Sequence, residues 1–116
     1  MGRWSMNKVI ALGEFEKKAG RLCRKYRTLL NDIELLIEAL ESNFDYGVPL
    51  GSGLRKIRLG TASKGGGKSG GFRVVTYFVE QTKDGNVVYL VTIFDKSEQS
   101  NITKKELLTL LKDELL

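Results

Sequence analysis

The sequence predicts an α+β fold, with two N-terminal helices packed on a small antiparallel sheet in the order β-α-α-β-β-β-α. Three observations predict it. Apolar residues recur at three- and four-residue spacing through the first third of the chain, the mark of amphipathic helices. After Gly53 the period changes to two, in segments rich in Val, Ile, Phe and Tyr. A helical spacing then returns after Thr103. Helices followed by a run of strands are the pattern of an α+β domain.

Each element has its own signal. Residues 8–12, KVIAL, form a short apolar run suited to an edge strand. Residues 14–26 carry Phe15, Ala19, Leu22, Cys23 and Tyr26 at helical intervals. Residues 29–41 repeat the pattern with Leu29, Leu30, Ile33, Leu36, Ile37 and Leu40. A tight break near Arg27 and Thr28 joins the two helices as antiparallel neighbours. Residues 43–53 hold the only proline, Pro49, together with Gly47, Gly51 and Gly53, and read as a loop. Residues 54–59, 72–80 and 87–95 read as strands. Asp84-Gly85 between the last two is a hairpin signal. Thr103 and Glu106 have the spacing of a capping box, before a helix with Leu107, Leu108, Leu110, Leu111 and Leu115. The first two helices are expected to cover one sheet face. The other face is left to the last helix and the basic residues.

Length and composition narrow the function. A chain of 116 residues suits one domain. Residues 1–6 are read as an N-terminal extension, with Met6 the expected start, and residues 7–116 as a single domain. No apolar run approaches bilayer-spanning length, so no membrane partner is expected. The N-terminus has no signal-peptide apolar region, and Cys23 is the only cysteine. Both point to a cytoplasmic setting. A lone cysteine excludes an internal disulfide and a thiolate metal cluster. There is no histidine. That removes Ser-His and Cys-His nucleophile pairs, imidazole zinc sites and histidine acid–base catalysis. No metal and no cofactor are expected.

The net charge of +5 is unevenly placed. Between Tyr46 and Val79 there is no Asp or Glu, while Arg55, Lys56, Arg58, Lys64, Lys68 and Arg73 fall in that span. A local basic surplus of this kind attracts polyanions. Part of it lies in a glycine run, GGGKSGG. Ala62-x-x-x-x-Gly67-Lys68-Ser69 fits a relaxed P-loop pattern. A P-loop, however, needs a helix N-terminus after its glycines to hold phosphate, and here a strand follows. The run is read instead as a long strand connection carrying Lys64 and Lys68.

Alternation along a strand puts Lys56 and Arg58 on one face, with Arg55 pointing the other way beside Ile57 and Leu59. Arg73 opens the next strand, where pairing would bring it near Lys56 and Arg58. Lys96 ends the last strand. A pairing of Arg58 with Glu98 or Asp95 would make it an ordinary surface ion pair.

At these residues the sequence resembles the RelE/ParE toxin superfamily of type II toxin–antitoxin systems, in its HigB-like, RelE-type branch. The resemblance lies in GLRKIRL, GKSGGFRVVTYFV and VVYLVTIFDKSEQSNITKKEL, and it extends from about Asn7 to the C-terminus. It implies a RelE-like fold and a ribosome-dependent mRNA endoribonuclease that inhibits translation. It also implies a cognate antitoxin with a helix-turn-helix, HigA-like domain. By motif position Lys56, Arg58, Arg73 and Lys96 are the implied catalytic residues, and Arg55, Lys64 and Lys68 are expected to bind RNA. Relatives often place a tyrosine near the C-terminal helix. Here that neighbourhood reads Asn101-Ile102-Thr103, so no tyrosine role carries over. RNA supplies its own nucleophile, the 2′-OH, and paired arginines suit the charge that builds on phosphorus. Lys56 or Lys96, crowded by other cations, is the candidate for moving protons. Two other readings fit the same fold: a ParE-like topoisomerase inhibitor and a non-catalytic basic RNA-binding module.

Overall fold

The computed structural model describes residues 6–60, 71–83 and 85–116. The chain runs β1 (Lys8–Ala11), α1 (Gly13–Lys25), α2 (Leu29–Ser42), β2 (Val48–Gly51), β3 (Leu54–Leu59), β4 (Phe72–Thr82), β5 (Gly85–Asp95) and α3 (Lys104–Leu115). One five-stranded sheet has the order β1-β5-β4-β3-β2. The fold is α+β as expected, and each expected helix and strand is present within two residues of its expected ends.

The structure corrects two details. The segment expected to be a loop contains β2, which pairs antiparallel with β3 through Val48 and Lys56 and through Pro49 and Arg55. A proline is tolerated there because β2 is a sheet edge, where a missing N–H need not break a ladder. Gly51, Ser52 and Gly53 all have positive φ and make the tight turn into β3. The sheet is also mixed, because β1 runs parallel to β5, with Lys8 opposite Val87 and Ala11 opposite Leu90. The remaining pairings are antiparallel.

Two cores lie on the two faces of the sheet. On one face α1 and α2 bury Phe15, Leu22, Leu29, Ile33 and Leu40 against Ile57, Phe72, Val74, Val88, Leu90 and Ile93. Cys23 packs partly buried at this core, and burial raises its thiol pKa. On the other face α3 sets Leu107 and Leu111 against Leu54, Val75, Val91 and Leu12. Each such leucine contributes roughly 1.5–3 kcal/mol relative to exposure.

Helix α3 is fixed at both ends. Thr103 Oγ1 accepts from the Glu106 amide at 3.1 Å, and Glu106 Oε1 accepts from the Thr103 amide at 2.9 Å. This is the capping box that the sequence predicts. At the far end Glu114 reaches the start of α1. Its carboxylate accepts from the amides of Gly13 at 3.1 Å and Glu14 at 3.2 Å. The N-cap of α1 is Leu12, which has no capping side chain. Glu114 therefore satisfies amides that α1 leaves open, and its charge suits a helix N-terminus.

Candidate functional site

The sheet face under α3 changes character along the strands. Leu54, Tyr77 and Tyr89 form one paired row of the α3 core. The next row holds Lys56, Val75 and Thr92, and the one beyond it Arg58, Arg73 and Phe94. Helix α3 covers the apolar rows and begins only at Lys104. Lys56 reaches Asn101, three residues ahead of the helix.

Arg58 and Arg73 are direct cross-strand partners. Side chains so placed are usually ~5 Å apart at Cβ, and like charges there are destabilising. Arg58 is exposed, whereas Arg73 is only 8% exposed. Burial, and then the neighbouring Arg58, lower the Arg73 pKa. An arginine nonetheless remains a cation at neutral pH. One guanidinium N–H of Arg73 donates to the Phe72 carbonyl at 3.2 Å. Among the described residues, the ion pairs join Lys18 to Glu14, Arg21 and Lys25 to Glu98, and Arg55 to Asp45. None of them involves Lys56, Arg58, Arg73 or Lys96.

Gly47, Val48, Lys56, Arg58 and Arg73 line a cleft of about 370 Å³. Close backbone packing borders it. Gly47 has φ +85°, and a Cβ on it would lie 2.3 Å from the Lys56 carbonyl oxygen. At the base of β4, a Cβ on Gly71 would lie 2.7 Å from the Leu59 carbonyl oxygen. Glycine at both places lets the chain pass close over β3, as a glycine beside a strand often does.

Strand alternation and the β3–β4 register thus bring Lys56, Arg58 and Arg73 into one cleft. Lys96 does not line it. The Lys96 amide donates to the Gly71 carbonyl at 3.1 Å, and its side-chain amine donates to Ser100 O at 3.0 Å. Arg55 is on the opposite face. It pairs with Asp45 at 2.7 Å, donates to Gly47 O at 3.3 Å and lies 5.8 Å from the Phe44 ring centre. As strand alternation predicts, it does not share the face of Lys56 and Arg58. Lys64 and Lys68, with the P-loop-like run up to Gly70, fall outside the described residues.

The alternative in which Arg58 pairs with Glu98 or Asp95 is not formed among the described residues. Glu98 turns to α1, 2.8 Å from Arg21 and 3.5 Å from Lys25. Asp95 is fully buried and accepts from the Tyr26 hydroxyl at 3.0 Å. Both acids are drawn away from the cleft. Asn101, not anticipated from the sequence, accepts at Oδ1 from Lys56 Nζ at 3.1 Å. The only signal for it was its place just ahead of the α3 capping box.

An uncompensated cationic cleft on an α+β frame is suited to binding anionic oxygens. Among the described residues no cluster of three His, Cys, Asp or Glu side chains is suited to a metal ion. No helix among them is long and apolar enough to cross a membrane. Residues 15–113 match the sequence model of the family described as the RelE toxin of the RelE / RelB toxin-antitoxin system, a match that runs from α1 into the last turns of α3 and takes in the whole cleft, and the chain belongs to that toxin family.

Proposed function

We propose that this toxin is an endoribonuclease that cuts mRNA on the ribosome and so inhibits translation, within the HigB-like, RelE-type branch. The observation that carries the reading is the Arg58–Arg73 pair. Two cations side by side, one of them buried, work against folding. A phosphodiester between them offsets that repulsion, most of all when its charge increases.

The reaction needs no protein nucleophile. The ribose 2′-oxygen attacks the adjacent phosphorus, and the bond from phosphorus to the 5′-oxygen breaks. One proton leaves the 2′-hydroxyl and one joins the departing 5′-oxygen, giving a 2′,3′-cyclic phosphate and a 5′-hydroxyl. Charge grows on the non-bridging oxygens between these events. Arg58 and Arg73 hold it there, favouring the transition state over the ground state. Lys56, at the cleft, and Lys96, at the end of β5, are the groups proposed to handle the protons. The ribosome supplies the bent, in-line message that this chain has no imidazole to compensate for. Lys64 and Lys68 are proposed to follow the RNA backbone. No step calls for a metal or another cofactor.

A toxin of this family implies an antitoxin partner. We propose one with a helix-turn-helix domain, HigA-like, that blocks the cleft, and we place the toxin's action in the cytoplasm with the ribosomes. The test is a message carrying a 2′-deoxy nucleotide 5′ to the scissile bond. It is expected to resist cleavage on toxin-treated ribosomes, while the all-ribose message is cut. Cleavage of both at one rate would overturn the mechanism.

A further inference from the structure

The connection between β5 and α3 is short, polar and closely bonded. Asp95 anchors it. Its carboxylate accepts from the Ser97 amide at 2.9 Å and the Ser97 hydroxyl at 2.8 Å. Its carbonyl accepts from the amides of Glu98 at 2.9 Å and Gln99 at 3.0 Å. Glu98 ties the loop to Arg21 of α1. The Lys96 amine holds Ser100 O, and Gln99 Nε2 donates to Asn101 O at 3.0 Å. All of these contacts fix the backbone that presents Asn101.

Asn101 itself is exposed, and its carboxamide meets Lys56 Nζ at 3.1 Å. A lysine ammonium only donates, so the atom facing it is the carboxamide oxygen. The choice of an amide matters. A carboxylate at this place would hold the ammonium equally well but would cancel its charge and repel a phosphate. An amide oxygen fixes the ammonium and leaves its full charge available.

We propose that Asn101 is a positioning residue for Lys56, a neutral clamp that holds the ammonium at the cleft wall without neutralising it. The proposal rests on the nuclease reading for its effect on cleavage, and on RNA affinity independently of it. The amide N–H groups of Nδ2 have no hydrogen-bond partner among the described residues, so the Lys56 contact is the side chain's own commitment.

The experiment compares wild type with Asn101→Ala, Asn101→Asp, Lys56→Ala and the Lys56→Ala/Asn101→Ala double variant. It reads mRNA cleavage on ribosomes, binding of a single-stranded RNA oligonucleotide, and thermal melting. Asn101→Ala is expected to lower cleavage on the order of tenfold, the scale of one hydrogen bond to a charged group. Asn101→Asp is expected to lower both cleavage and RNA affinity further, although its bond to Lys56 survives. The double variant is expected to be no worse than Lys56→Ala, because a residue acting through Lys56 has nothing left to position. Melting stays at the wild-type value in the Asn101 variants. Cleavage losses that multiply in the double variant would overturn the proposal, as would an Asn101→Asp protein that binds RNA like Asn101→Ala. A wild-type protein that binds RNA but cuts no message removes the nuclease reading alone, and the binding series then decides the role of Asn101. A wild-type protein that does neither overturns both.

Discussion

Arg73 is where stability and the proposed chemistry oppose each other in one side chain. It is 8% exposed, faces Arg58 across the ladder and has no ion-pair partner among the described residues. Arg73→Met keeps most of its length and removes the charge. Melting is expected to rise by a few degrees, the scale of ~1 kcal/mol in a domain this size, because a buried cation is replaced by apolar volume. Cleavage is expected to fall on the order of a hundredfold or more, matching the ~2.7–4 kcal/mol lost with one preorganised donor. Expressed without an antitoxin, the variant should no longer arrest growth. A variant that melts well below wild type would make Arg73 a structural residue, and one that still stops protein synthesis would remove it from the site. The grouping of Lys56, Arg58 and Arg73 was legible from the sequence because strand alternation is local and hairpin-type pairing is short in range. The role of Asn101 was not, because its contact with Lys56 spans 45 residues and depends on how a loop folds. The direction of Lys96 was illegible for a similar reason. Strand parity predicts a face, but a backbone carbonyl four residues later captures the amine.

Helix α3 packs its leucines on the sheet and is tied down at both ends. Glu114 joins its last turn to the open amides of α1. Glu114→Ala is expected to lower stability by ~1 kcal/mol, as loss of a helix cap does. It should also speed amide hydrogen exchange in both α3 and the first turn of α1. Exchange that rises in α3 alone would show that the carboxylate does not cap α1. The capping box at the other end was plain in the sequence, since Thr103 and Glu106 are neighbours. A cap supplied across 101 residues has no such signature. Strand β2 escaped the sequence reading because Pro49 and its flanking glycines mark turns more often than strands. An edge position relaxes that rule, and edge position is itself a property of the assembled sheet. The parallel pairing of β1 with β5 is likewise set by the path of two intervening helices, while the apolar run KVIAL says only that a strand forms.

Across the whole molecule, acid should loosen the fold. The Arg21 hydrogen bond holds the Glu98 carboxyl below the usual glutamate range, with Lys25 adding to it. The Thr103 backbone N–H, and then its side chain, do the same for Glu106. Each folded pKa lies below its unfolded value, so each contribution is complete above the unfolded pKa of about 4.3. It is lost as pH falls through the lower, folded value. Melting temperature is expected to drop on acidification through that window, and Glu98→Gln should flatten part of the drop. An unchanged acid limb in Glu98→Gln would mean that the link between α1 and the loop after β5 carries no stability. The same long-range ties also bear on timing. Chains made from the N-terminus acquire Arg58 and Arg73 first, then Asn101, and then Glu114. Strand β1 must wait for β5, and the start of α1 for the end of α3. Contacts so distant in sequence form late and slowly. On the proposed function, a nascent copy therefore carries its cations before β5, which pairs with the strand bearing Arg73, and before Asn101, which holds Lys56, have been made.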